Sequence, residues 1–132
     1  MNSITSEEIL ELEKRVYLFE DKIIKYDELE DTSPEKISVM WKKIGELIPQ
    51  GQKICVLANL VDANPPNASV REQIRIEQEK IKDKICHFAI FTGKNKLINL
   101  SIKFVMGKGF LKSISISKTE NDAYNEIQKH IS

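Results

Sequence analysis

Two cysteines, two histidines and five glycines leave little material for the commoner chemistries of a small protein. A zinc site needs closely spaced Cys and His ligands, and Cys55, Cys86, His87 and His130 have no such spacing. Gly93, Gly107 and Gly109 form neither a phosphate-cradling Walker loop nor a dinucleotide fingerprint. No nucleophile elbow is present. Neither sign of charge is in excess, with 20 basic against 20 acidic residues, so bulk charge argues for neither a nucleic-acid binder nor a membrane-surface protein. No apolar run approaches the roughly 20 residues that span a bilayer. The first residues, Met-Asn-Ser-Ile-Thr-Ser-Glu-Glu, lack the basic and apolar regions of a signal peptide. These lacks predict a cytoplasmic protein with no cofactor, no metal and no catalytic residue that can be named. Both cysteines fall in apolar runs and are expected to be buried, reduced thiols.

What is present is a rhythm. The 132 residues suit a single domain, 1–132, and 41% apolar content suffices for a core without metals or disulfides. Three apolar runs, Ile54–Ala58, Ile85–Phe91 and Leu111–Ile116, each precede a segment with helical spacing. Strands alternating with helices predict an α/β fold with a parallel second half. Before them, Ile9–Glu13, Val16–Phe19 and Lys22–Tyr26 read as short strands with a turn at Asp21–Lys22, giving an antiparallel meander. A helix competes over residues 6–19, where Ser6 resembles a cap, but apolar alternation favours strand. The expectation is therefore a mixed sheet of about five strands with about four helices.

Helix signals are clearer further on. Ser33 can cap, Pro34 suits the first helical position, and Glu35 favours the positive end of the dipole. Ile37, Met40, Trp41, Ile44, Leu47 and Ile48 then keep helical spacing, which reads as core. Pro65–Pro66 breaks the chain, and Asn67 or Ser69 caps a polar helix with a thin seam at Val70, Ile74 and Ile81. The segment 97–106 is apolar on more than one face, so it is deeply buried or offers a face to a partner, including a second copy of the chain.

Charge is uneven along the chain. Residues 1–36 hold eleven acids and five bases, whereas residues 84–118 hold seven lysines and no acid. The second segment reads as core sequence with lysines at its rim, or as an electropositive face. Two loops become candidate partner or anion sites because ligands of open α/β sheets bind at the carboxyl ends of strands. One comprises Asp62, Asn64, Asn67, Ser69 and Arg71; the other comprises Gly93, Lys94, Asn95 and Lys96. A hydroxyl in the first helical turn, as at Ser69, is also a favourable place for a phosphate. Capping alone is the plainer account of Asn67 and Ser69.

The order of elements, a meander, a helix, then β-α-β-α-β-α, resembles the STAS domain and the SpoIIAA-like superfamily over nearly the whole chain. Phe88-Ala-Ile-Phe-Thr-Gly, the apolar segment 97–106 and the stretch from Ile114 to Ile127 are similar to the carboxyl half of small stand-alone bacterial members. In the anti-sigma-factor antagonists of that group, an Asp-Ser-Ser-Gly motif carries a phosphorylated serine. Here the matching stretch is Asn67-Ala68-Ser69-Val70, which places Ser69 at the phospho-acceptor position and departs from the motif on either side. The resemblance implies a non-enzymatic regulatory or protein-interaction module. The alternative expectation is a small-molecule, anion or lipid carrier or sensor. A pocket lined by 97–106 would favour the carrier; a filled core with a flat exposed patch would favour the interaction module.

Overall fold

Alternating β-rich and helical segments build one five-stranded sheet in the computed structural model, which describes residues 4–106 and 113–131. The strands are β1 (Val16–Glu20), β2 (Ile23–Asp27), β3 (Ile54–Asn59), β4 (Ile85–Phe91) and β5 (Ile114–Ser117), side by side in chain order. β1 and β2 form an antiparallel hairpin, and all later pairs are parallel. Parallel neighbours need crossovers, supplied by α2 (Pro34–Leu47), α3 (Ala68–Ile81) and α4 (Lys96–Met106). α1 (Ser6–Glu13) precedes the hairpin, α5 (Glu120–Gln128) follows β5, and a 3-10 turn at Lys82–Lys84 leads into β4. The sheet and class agree with expectation. The described residues hold five α-helices rather than about four.

The strand expected at 9–13 is instead part of α1. A capping box decides it: Glu8 N–H donates to Thr5 Oγ1 at 3.1 Å, and Thr5 N–H donates to Glu8 Oε1 at 3.3 Å. Two otherwise orphaned donors are thereby satisfied, which outweighs an alternation that buries only Leu12. The cap sits one residue before the Ser6 suggested by sequence. Further on, Ser33 caps α2 with Pro34 at its start, and Asn67, not Ser69, caps α3. The thin α3 seam is buried as expected, joined by Glu77 and Gln78. The end of α4 at Gly107–Gly109, the start of the last expected strand at 111–112, and the side chains of 100 and 103–106 lie outside the described residues.

The two faces of the sheet are covered unequally. Leu12, Ile37, Met40, Trp41, Ile44, Val70, Ile74, Ile98 and Ile102, from α1 to α4, pack with Ile24, Tyr26, Val56, Phe88 and Ile90 on one face. On the other face, Ala123 and Ile127 of α5 pack with Ile23, Cys55, Leu57, Ala89 and Phe91. A buried cation, Lys25, sits on that thinner side. Its Nζ donates to Glu120 Oε1 at 2.8 Å and lies 5.6 Å from the Phe19 and Phe91 ring centres.

A bulge also marks the thinner side. Pairing shifts between Ile54 and Cys55, which sets Cys55 against His87 and leaves Cys86 as the extra residue. Cys86 is joined to Cys55 in a disulfide, with Cα atoms 5.4 Å apart. The expectation of two reduced thiols is thus corrected: adjacent strands place both cysteines on one face within bridging range. Buried His87 stacks on His130, with ring centres 4.0 Å apart, and its two ring nitrogens meet Ser113 Oγ at 2.6 Å and Ser115 Oγ at 2.8 Å.

Burial, then the neighbouring His130, lowers the His87 pKa to about 4. The unfolded chain therefore takes up the proton first as pH falls. Stability should drop by about 2 kcal/mol between pH 7 and pH 4.5 through this group. Urea unfolding of His87→Gln at both pH values should show a pH loss smaller by that amount; an unchanged loss would contradict the assignment.

Candidate functional site

The stripe that makes α2 amphipathic also delivers Trp41 to the sheet. Its ring stacks on Phe88, with centres 5.6 Å apart and planes 5° from parallel, and leans on Tyr26 at 6.0 Å. These three rings line a partly enclosed cavity of about 50 Å³. Ile74 of α3 and Ile98, Ser101 and Ile102 of α4 contribute to its walls. The segment after β2 adds Glu28, Leu29 and Thr32, and the segment after β3 adds Leu60, Ala63, Asn64 and Pro66. The site thus lies at the carboxyl ends of parallel strands, where open α/β sheets bind ligands.

A few polar groups break the apolar lining. Trp41 is only 3% exposed, and its side chain interacts with the Tyr26 hydroxyl as a hydrogen-bond donor. Thr32 Oγ1 is buried without a hydrogen-bond partner. Tyr26 donates its hydroxyl to Glu28 Oε2 at 3.0 Å, and Leu29 N–H donates to Glu28 Oε1 at 3.0 Å. Burial raises the Glu28 pKa to about 6, against the lowering effect of those two hydrogen bonds and of the Arg15 charge. Burial, then the Glu28 charge, holds the Tyr26 hydroxyl well above its usual range.

Next to the cavity is a polar recess lined by Arg15, Asp27, Glu28, Glu30, Asn59 and Asp62. Four acids face one cation there. The Arg15 Nη1 donates to the carbonyls of Asp27 at 3.1 Å and Glu28 at 3.2 Å, which pins the end of β2. Among the described residues, no cluster of three or more His, Cys, Asp or Glu side chains could hold a metal ion. Nor is any described helix long and apolar enough to cross a membrane.

One amide joins the two loops singled out from sequence. Asn95 Nδ2 donates to the carbonyls of Val61 at 3.0 Å and Ala63 at 2.8 Å, with Leu60 at 3.4 Å. Its Oδ1 accepts from Ile98 N–H at 3.2 Å and so caps the start of α4. Two walls of the cavity are thereby tied together. Gly93 makes the tight turn before it, at φ +58°, where an added Cβ would come within 3.3 Å of Val61.

The other sequence candidates disperse. Asn64 lines the cavity and donates to Asp31 Oδ1 at 2.7 Å, whereas Asp62 faces the acidic recess. Asn67 Oδ1 accepts from Val70 N–H at 2.9 Å and from the exposed Ser69 hydroxyl at 2.8 Å. Arg71 Nη1 donates to the Pro66 carbonyl at 2.9 Å. Gly93, Lys94 and Lys96 line a separate open groove with Asn99, Ser117 and Lys118. Sequence reasoning missed Tyr26, Glu28, Thr32 and Phe88 as site residues and read Trp41 as core alone. No spacing links them; only the helical stripe for Trp41 and the strand run for Phe88 hinted at their shared face.

Replacing Asn95 with Ala should cost about 2–3 kcal/mol, because several buried backbone groups lose their partner. Lys94→Ala should stay within about 0.5 kcal/mol, as surface changes do. Equal effects in denaturant melts would contradict the clamp. For Glu28, the folded pKa exceeds the unfolded one, so stability falls as pH rises through about 4.5 to 6, by up to about 2 kcal/mol. Glu28→Gln should therefore gain about 1–2 kcal/mol over the parent protein at pH 8 relative to pH 4. The His87 effect, opposite in sign, cancels in that difference; no gain at pH 8 would refute the buried-carboxylate account.

Comparison with known family models, curated proteins and solved structures yields no match to the chain.

Proposed function

We propose that this chain is a non-enzymatic, STAS-like binding domain that holds a small, largely apolar molecule over Trp41, as a carrier or sensor. The observation that carries this reading is the cavity itself, walled partly by α4 and lined mostly by apolar side chains with a few polar ones, Glu28, Thr32, Asn64 and Ser101. Pockets of this kind, mostly apolar with a few convergent polar groups, are the usual form of small-molecule sites. The STAS-like part of the reading draws on the order of elements and the antiparallel-then-parallel sheet.

A second reading, a regulatory protein-interaction module, draws on the outer face of α3. There Glu72, Arg75, Glu79 and Lys80 surround Ile76, which is 43% exposed. Ser69, exposed in the first turn of that helix, would be the phosphorylation point. A homodimer through α4 belongs to the same reading, with Leu97 exposed on that helix. A sensor reconciles the two readings: occupancy next to α3 and α4 would alter the faces those helices present.

The chain has one tryptophan, so a proton–nitrogen NMR spectrum contains a single indole signal, and it comes from the site. Screening small fragments against the labelled protein should move that signal saturably together with those of Ile98 and Ile102. In Ser101→Phe, which fills the wall from α4, the shifts should vanish while the rest of the spectrum stays dispersed. If no fragment moves the indole signal, the small-molecule reading fails and the interaction module takes its place.

A further inference from the structure

We infer that the Cys55–Cys86 pair is a thiol–disulfide exchange site: Cys86 is the sulfur that takes up a small aliphatic thiol as a mixed disulfide, and Cys55 is the sulfur that resolves it. The pair lies with Ile23, Leu57 and Ile127 on the face of the sheet opposite the Trp41 cavity. Nothing about it depends on what that cavity holds.

The two cysteines are bonded to each other but differ in their surroundings. Cys55 is 0% exposed and sits in β3, paired with β2 on one side and β4 on the other. Its N–H donates to the Lys22 carbonyl at 2.9 Å. Cys86 is only partly buried, at the rim of the cluster beneath α5, together with Ile131. It is also the extra residue of the β4 bulge, with no partner in the β3 register. Cys86 therefore moves at less cost to the ladder than Cys55. An incoming thiol meets Cys86 first, and access decides which sulfur of a disulfide is attacked. A half-buried sulfur under a helix admits a narrow aliphatic chain more readily than the surface of a second protein.

In the oxidised chain, the thiolate of the small thiol attacks Cys86 Sγ. A bond forms between those two sulfurs, the Cys55–Cys86 bond breaks, and its electron pair stays on Cys55 Sγ. Apolar surroundings disfavour a free thiolate there, so Cys55 takes a proton from water. The small thiol is thereby oxidised to the disulfide level, and Cys55 is reduced. A second small thiolate then attacks the outer sulfur, releases a small disulfide and leaves Cys86 reduced. In reverse, a small disulfide hands one of its halves to Cys86 and releases a thiolate. Cys55, whose Cα lies 5.4 Å from that of Cys86, then closes the bond and expels the second half. The small thiol and its disulfide are the only reductant and oxidant required.

Glutathione serves as the probe, and the chain has no third cysteine to confuse the result. The folded full chain is incubated at pH 8 with reduced and oxidised glutathione in varied ratio, quenched in acid and read by intact mass. The disulfide should open and close reversibly with that ratio. Reaction only after unfolding in urea, or a chain that stays reduced in oxidised glutathione, would overturn the exchange site. Roles are read from Cys55→Ser and Cys86→Ser treated with oxidised glutathione. Folded Cys55→Ser should gain its adduct, on Cys86, at least about ten-fold faster than Cys86→Ser, and the two rates should converge in urea, where burial no longer separates the thiols. Equal rates in the folded variants, or faster reaction at Cys55, would overturn the assignment of the two sulfurs. If either variant fails to fold, peptide mapping of the adduct trapped in the parent chain decides instead: an adduct on Cys86 supports the assignment, and one on Cys55 or none at all overturns it.

Discussion

The stacking of Trp41 on Phe88 is the contact on which the rest of the described architecture depends. It joins α2 to β4, two strands away from β2, whose Tyr26 supports the indole from the side. Aromatic pairs at such separations add to the burial of their large apolar area. The same arrangement creates the site. α3 and α4 cover the sheet next to a rigid, planar side chain, and they leave a cavity beside it. Asn95 then holds the loop 60–63 against the start of α4, so the space is bounded by fixed backbone on both sides.

The carboxyl edge of the sheet is electrically divided, although the whole chain is neutral. Acids gather beyond β2 and β3, at Asp27, Glu28, Glu30 and Asp62. Lysines gather beyond β4 and β5, at Lys94, Lys96 and Lys118. The uneven charge along the sequence is thus converted by parallel topology into two neighbouring regions of opposite sign. Fields of this kind select ligands by charge even where net charge is zero. The apolar cavity lies next to the acidic part, and this placement, more than any motif, argues against an anion there.

Much of the scaffold was legible because local physics and tertiary packing agree. Strands at 54–59 and 85–91 are continuous apolar runs, as buried parallel strands are. Ser33-Pro34 marks the start of α2, and the thin seam of α3 shows in its sparse apolar residues. α1 was misread because a short alternating pattern concealed a capping box at Thr5 and Glu8. The disulfide was missed because it depends on a one-residue bulge, which no periodicity reveals. The cavity was legible only in part. Asn64 and Asn95 lie in the two loops that sequence marks, but Tyr26, Thr32, Trp41 and Phe88 meet through packing of distant segments. The order of apolar runs and helical segments points to the mixed sheet but is silent on that meeting.

The central claim, a fixed apolar cavity over Trp41, is tested most directly by a probe that needs no hydrogen bond. Xenon enters dry apolar cavities whatever their polar fringe. Isoleucine methyl NMR under xenon pressure should show selective, saturable shifts at Ile74, Ile98 and Ile102, with the α5 side of the sheet, at Ile23 and Ile127, unmoved. No response, or equal small shifts at all five, would mean that the space is filled in solution and would contradict the account.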